Sequence, residues 1–271
     1  MTHPNIGYPE RWAAFNQRNS KFVSDCYPGL VKTAEKMLNR HVSIKTIDDD
    51  IIFLLGRTAF EDYCELWVLA GNGYGIGAYK ILRGLYEKVV TLAYLAKHQS
   101  EIQRFCDYEI VQKRRLMNRA KEDPYMKARF PEMAYKDIEE AYEKIKAQFT
   151  DTQGRSLSWT LLDTFSLAKK AGYDLDKISV TAYVIPNLKI HATVSDLAER
   201  KAPQSDGTFK FNNEPQEQYA DSALLTATHL IVTALYVHED YFQLGLRPEI
   251  EHLQLSLAQS YMSRVDGLAL G

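Results

Sequence analysis

Cysteine is scarce: Cys26, Cys64 and Cys106 are the only three in 271 residues, and each stands alone inside an apolar pattern. A zinc knuckle or redox dithiol needs thiols at close spacing, so neither is expected, and buried thiols are the reading that fits. An excess of charge of one sign is missing too. Lys+Arg total 33 against Asp+Glu 35, for a formal net charge of −2, so any polyanion site must be local. The longest apolar stretches are read as interrupted by charge, as Arg57, Glu61 and Asp62 interrupt the stretch from Ile51 to Leu69, and no membrane span or membrane partner is expected. The first ten residues carry Pro4 and Pro9 without the basic start and apolar run of a secretory signal. A cytoplasmic location is the expectation. Period-two alternation never survives more than a few residues, which argues against any significant sheet. There is no internal repeat and no low-complexity tract.

What is present is helical periodicity in a chain that is 45% hydrophobic and 25% charged, a balance that folds. The expected architecture is all-α: a single-domain multi-helix bundle over 1–271, with N-terminal helices over 9–41, a core bundle over 48–245 and a C-terminal helix over 248–264. Pro9 suits a first turn, and Pro28 interrupts the segment before a second helix that reaches Arg40. Asp48 can cap a helix that stops at Gly71. From about Tyr74 to His98 runs the most apolar segment, with Ile76, Leu82, Leu85, Val89, Leu92 and Leu95 around most of its circumference, so it should be central. Ser100 can cap a helix through Lys121, and Pro131 can open one through Phe149. Trp159 to Gly172 reads as a short helix, and Asp176 to Lys201 as a longer one kinked at Pro186. Ala202 to Pro215, containing Asp206-Gly207, reads as a mobile loop before a long helix from Gln216 to about Leu244.

Several constellations invite chemistry. Gly71-Asn72-Gly73-Tyr74-Gly75-Ile76-Gly77 has the glycines of a phosphate loop but follows a helix rather than a strand, so a tight helix-helix turn is expected. Glu249 and His252 have the spacing of a dinuclear-metal pair, but only one such pair exists, and His229 and His238 lie out of phase on one helix. No metal and no cofactor are expected. Arg83 and Glu87 are four residues apart on the apolar central helix, either as an ion pair holding the bundle's register or with Arg83 reaching into a polar cleft. Asn187 and His191 share a helix side just beyond Pro186, with Lys189 and Thr193 near, as a hydrogen-bonded structural histidine or as functional groups beside a kink. Lys113, Arg114, Arg115 and Arg119, with Lys121, Lys127 and Arg129 beyond them and Tyr108 and Tyr125 nearby, form either a nucleic-acid-binding surface or a solvated helix face.

The run Ile81-Leu82-Arg83-Gly84-Leu85-Tyr86-Glu87, followed by Tyr94-Leu95, Trp159, Tyr183 and His191, resembles a bacterial family of helical proteins of unknown function that stands near the HEPN superfamily. The likeness spans roughly residues 50 to 240. It implies a helical bundle that dimerises and acts on RNA, in many members as a metal-independent endoribonuclease of toxin-antitoxin or phage-defence systems and in others as a non-catalytic binding module. The superfamily's nuclease motif is an Arg, then a polar residue such as Asn, then a His a few residues on. Pro186, Asn187 and His191 occupy those positions, so the amide and imidazole match while proline replaces the cation. The resemblance thus implies His191 as general acid/base, Asn187 as its orienting partner, Arg83 with Glu87 shaping the cleft, and RNA and a second copy of the chain as partners. The alternative is a helical interaction module for a protein, a nucleotide or RNA.

Overall fold

Apolar residues recurring at helical spacing give an all-α, multi-helix fold in the computed structural model, which describes residues 7–38, 45–129, 132–154, 158–191, 193–211 and 217–268. They gather into two compact units: Met1–Lys97 with Thr164–Gly271, and His98–Asp163.

The core of the larger unit is three long helices: α3 (Ile47–Gly71), α4 (Gly75–Lys97) and α11 (Ala220–Phe242), each packed on the other two. Ile52, Leu66, Leu82, Leu85, Leu92, Leu224, Leu230 and Val237 are fully buried there, each stabilising the fold by about 1.5–3 kcal/mol before entropy is subtracted. Hydroxyls drawn into this core find partners, as buried polar groups must. Tyr63 Oη lies 3.1 Å from Thr228 Oγ1, and Tyr86 Oη donates to the Leu175 carbonyl at 3.0 Å. On this core lie α1 (Pro9–Arg18), α2 (Tyr27–Leu38), α8 (Thr164–Ala171), α9 (Ile185–Ile190) and α12 (Arg247–Leu268). α10 (Val194–Ala198) adjoins α9. In the smaller unit, α5 (Ile102–Glu122) packs on α7 (Glu132–Ile145) around Val111, Tyr142, Ile145 and Phe149, with α6 (Pro124–Lys127) between them in sequence.

Local structure departs from expectation where side-chain chemistry outweighs pattern. Thr46, not Asp48, caps α3: its hydroxyl accepts from Asp49 N at 3.1 Å, and the Asp49 carboxylate accepts from Thr46 N at 3.0 Å in a reciprocal capping box. Ser100 lies inside a short 3₁₀ turn, Gln99–Glu101, and does not cap α5. The helix expected from Trp159 begins only at Thr164, though it does end before Gly172. Cys26 is buried, but Cys64 is exposed and Cys106 half-buried, so burial of all three thiols is corrected. Within the expected loop from Ala202, β1 (Lys201–Pro203) and β2 (Phe209–Phe211) pair as an antiparallel ribbon, the one sheet among the described residues. Arg40, Pro131 and residues 212–216 lie outside the described residues.

The two prolines expected to interrupt helices are handled by one device used twice. Phe22–Cys26 and Val180–Val184 are π-helical, with Tyr27 N–H reaching back to the Phe22 carbonyl and Ile185 N–H to that of Val180. Each π turn ends two residues before a proline, Pro28 or Pro186. Widening the turn there makes room for a ring that would otherwise strike the carbonyl one turn back. The segment expected as one kinked helix from Asp176 to Lys201 is therefore a π turn, α9, a break at His191, and α10.

His238 makes a demanding core contact. It is buried, its Nε2 sits 3.0 Å from the Ile52 carbonyl, and its ring lies over Gly56, where an added Cβ would fall 2.1 Å from Nε2. Gly56→Ala should therefore lower stability by about 1–3 kcal/mol in urea unfolding, since the ring has no room to retreat. Burial pushes the His238 imidazole down to about 4. The unfolded chain takes up a proton near pH 6.5 that the folded chain resists, so this contribution is complete above about pH 6.5 and is lost toward pH 4. It amounts to about 3 kcal/mol, and unfolding free energy measured against pH should show a shallower fall over that window in His238→Leu.

Candidate functional site

α4 carries Tyr79, Arg83 and Glu87 at four-residue intervals, hence on one face, and the π turn and α9 pack against that helix. The Arg83 guanidinium is the centre of the arrangement. Its Nη1 donates to Glu87 Oε2 at 3.0 Å, its Nε donates to Asn187 Oδ1 at 3.0 Å, and its Nη2 reaches the Tyr183 hydroxyl at 3.4 Å. It also lies 4.9 Å from the centre of the Tyr183 ring, within cation–π range. His191 Nε2 meets the same Asn187 Oδ1 at 3.2 Å. Arg83, Glu87, Asn187 and His191, two pairs a hundred residues apart in sequence, thus form one polar row with Tyr183 beside it.

The row fixes its own hydrogen positions. A guanidinium only donates, so Asn187 must turn its oxygen toward Arg83, and because that oxygen only accepts, His191 must donate through Nε2. In the neutral ring this leaves Nδ1 as the acceptor. Arg83 is 27% exposed and Glu87 40%, Asn187 is half-buried and His191 exposed, so solvent reaches the imidazole end. Burial lifts the Glu87 carboxyl above its ordinary range, against the pull of Arg83 in the other direction. His191 is not on a helix face as expected: α9 ends at Ile190, and His191 is the residue at which the chain turns extended, with φ −91° and ψ 152°.

Beside the row lies a second network that sequence reasoning missed. Lys189 is 9% exposed and pairs with Glu199, whose other oxygen accepts from the Tyr219 hydroxyl at 2.6 Å. Tyr219 in turn packs on Tyr79 of α4, ring centres 5.0 Å apart. Burial draws the Lys189 ammonium downward, but Glu199 and Tyr219 together outweigh it and hold the pKa above the ordinary lysine value. The Lys189 hydrogen bond, with that of Tyr219, holds the Glu199 carboxyl low. A lysine inside an apolar helix signals that some carboxylate must meet it. Which one is a matter of tertiary structure.

The remaining sequence candidates lie on other elements. On α5, Lys113 pairs with Glu109 at 2.7 Å, Arg115 donates to the Tyr108 hydroxyl at 3.0 Å, and Arg119 is exposed. Arg114 is held bidentately by Glu139 at 2.7 to 3.0 Å and lies 3.9 Å from the Tyr142 ring centre. The hydrogen bond from Arg114 draws the Glu139 carboxyl down. Lys113 and Arg114 are thus paired with acids within their own unit. Gly71 to Gly75 is the expected turn between helices, with the Trp12 ring against Gly71. Glu249 pairs with Lys36 at 3.3 Å and His252 is exposed. Among the described residues no three His, Cys, Asp or Glu gather as metal ligands would.

Fold and site together define an all-α multi-helix protein with a guanidinium–amide–imidazole row on its surface. The chain belongs to a protein family of unknown function, DUF5677, whose model matches residues 49–208 and so spans all four residues of the row. No curated protein and no solved structure matches the chain.

Lys189→Ala should cost about 1–2 kcal/mol in chemical unfolding, a charged hydrogen bond discounted because Glu199 is about one third exposed. Glu199→Gln, which keeps an acceptor, should cost less. Because the Glu199 pKa is lowered on folding, this stabilisation is present above the ordinary glutamate range and is lost on acidification below it. A Lys189→Ala protein as stable as the parent would remove the network from the account of the fold.

Proposed function

We propose that the chain is a HEPN-like, RNA-directed protein of the toxin or phage-defence type and that the polar row cleaves RNA through the substrate's own 2′-hydroxyl. One observation carries the reading: Asn187 Oδ1 accepts hydrogen bonds from Arg83 and His191 together, which supplies from α4 the cation that Pro186 leaves out of the local motif. In the reaction, His191 Nδ1 takes the proton of the 2′-hydroxyl as its oxygen attacks the adjacent phosphorus. The bond to the 5′-oxygen breaks, and the imidazolium returns the proton to that leaving oxygen, giving a 2′,3′-cyclic phosphate and a 5′-hydroxyl. Three of the five N–H donors of Arg83 are engaged, leaving two for the phosphoryl oxygens, where negative charge develops. A homodimer belongs to this reading, and the exposed Val180, Val184 and Leu188, at four-residue spacing next to the row, support it.

A helical interaction module without turnover is favoured by a different observation, the Arg83–Glu87 ion pair, which already occupies the cation. Incubating the purified chain with single-stranded RNA, and with the same strand in its 2′-deoxy form, separates the two. Cleavage should be confined to RNA and leave cyclic phosphate ends. His191→Ala should slow it at least a hundredfold and Arg83→Ala by a similar factor. Binding without cleavage would favour the module, and cleavage as fast in His191→Ala as in the parent would end the catalytic reading.

A further inference from the structure

The ribbon of β1 and β2 is the least explained feature of the larger unit. Its strands are exposed throughout, yet it carries two phenylalanines, Phe209 at 65% and Phe211 at 57% exposure. The register pairs Lys201 with Phe211, Ala202 with Lys210 and Pro203 with Phe209. Opposed residues share a face, so Lys201, Pro203, Phe209 and Phe211 line one side, and Ala202 and Lys210 the other. No core lies beneath either ring.

The ribbon is nevertheless built to hold its shape. Gln204 N donates to the Thr208 carbonyl at 2.8 Å, the Asp206 carboxylate accepts from Thr208 N and Oγ1, and Gly207 takes the left-handed φ of 80° that the turn requires. Its root is fastened beside the polar row. Glu199, two residues before β1, binds Lys189 of α9 and Tyr219, and Tyr219 lies on the chain's return into α11. A two-stranded ribbon alone is marginal in water, and this fastening ties the chain two residues before its first strand to α9 and to Tyr219.

We propose that the phenylalanine face of this ribbon binds a single-stranded segment of nucleic acid, RNA if the function proposed above is right, by stacking bases on Phe209 and Phe211. Side chains two residues apart on a strand stand roughly 7 Å apart. Bases in a duplex repeat every ~3.4 Å along each strand, so consecutive rings here match an extended strand with its bases parted and not a helix. The charge is complementary: Lys201, whose Nζ lies 5.6 Å from the Phe209 ring centre, and Lys210 on the opposite face can reach phosphates, against a single acid, Asp206, at the turn. Flat apolar rings flanked by cations suit bases joined by phosphates better than an apolar protein face.

The proposal rests on the RNA-directed reading, and the test keeps the two separable. The probe is a fluorescent twelve-nucleotide RNA in its uncleavable 2′-O-methyl form, single-stranded or annealed to its complement, titrated with the full chain. The single strand should bind at least tenfold more tightly than the duplex. Phe209→Ala with Phe211→Ala should weaken single-strand binding about tenfold or more, while Phe209→Tyr with Phe211→Tyr should preserve it. Unfolding midpoints should match the parent in both variants, because neither ring supports a core. Equal binding by parent and alanine variant, or equal binding of duplex and single strand, overturns the ribbon proposal, and the His191 comparison of cleavage then stands or falls by itself. A change in sedimentation from dimer to monomer in the alanine variant would show that a second copy covers the face and would overturn it as well.

Discussion

A guanidinium on a largely buried core helix has to be satisfied, and the arrangement around the candidate site follows from how that is done. α4 buries residues around most of its circumference, so Arg83 cannot turn fully to water without unpacking its neighbours. A charge left a quarter exposed is costly unless hydrogen-bonded partners surround it. Glu87, one turn away on the same helix, supplies the countercharge, but a single carboxylate engages only one edge of the planar guanidinium fork. Asn187 and Tyr183 take the remaining sides. That requirement ties the π turn and α9 to α4 by direction as well as by apolar contact. It also gives Asn187 a second consequence, because the oxygen turned toward Arg83 is the one that receives the His191 N–H.

The π turn before Pro186 serves the same geometry. An uninterrupted α-helix through this stretch would have been the default, and the proline ring would have broken it abruptly. The wider turn Val180–Val184 instead carries the chain past the ring and leaves Tyr183 within it, facing Arg83. The pairing of π turn and proline at Phe22–Cys26 and Pro28 shows that the device is used twice, with and without the row beside it. Its use beside the row shows local backbone chemistry placing a side chain of the candidate site, and no special strain is needed to explain it.

How much of this was legible in the sequence depends on the range of the interaction. The core helices were readable because Ile76 to Leu95 and the residues after Gln216 repeat with the period of a buried helix, and tertiary packing rewarded the same period. Arg83 with Glu87 and Asn187 with His191 were readable as pairs, since the members of each are four residues apart in the chain, although His191 falls just past the end of α9. Their union was not readable, because nothing in a linear pattern says that two segments a hundred residues apart will pack. Glu199 and Tyr219 were invisible for the same reason, although buried Lys189 announced that some acid was owed to it. The capping residue was misread for a local reason: Asp48, Asp49 and Asp50 all suit a first turn, and only the reciprocal bonds of Thr46 and Asp49 single out one register. The ribbon escaped notice because its strands are three residues long, too short for alternation to show.

The row is electrostatically unequal along its length, and that inequality bears on what it can do. At the Glu87 end, partial burial works against the charged form of a carboxylate that is still 40% exposed, even while Arg83 supports it. At the outer end, Asn187 is neutral and His191 meets solvent. An incoming phosphate at the outer end would therefore compete for Arg83 against a partner already disadvantaged by its surroundings, while the Nε–H donated to Asn187 would stay in place and keep the imidazole oriented. In the proposed reaction the arginine exchanges one anion for another without moving the group that aligns His191. A guanidinium suits such an exchange and an ammonium does not, because its separate N–H edges let one bond be surrendered while another, in a different direction, is kept.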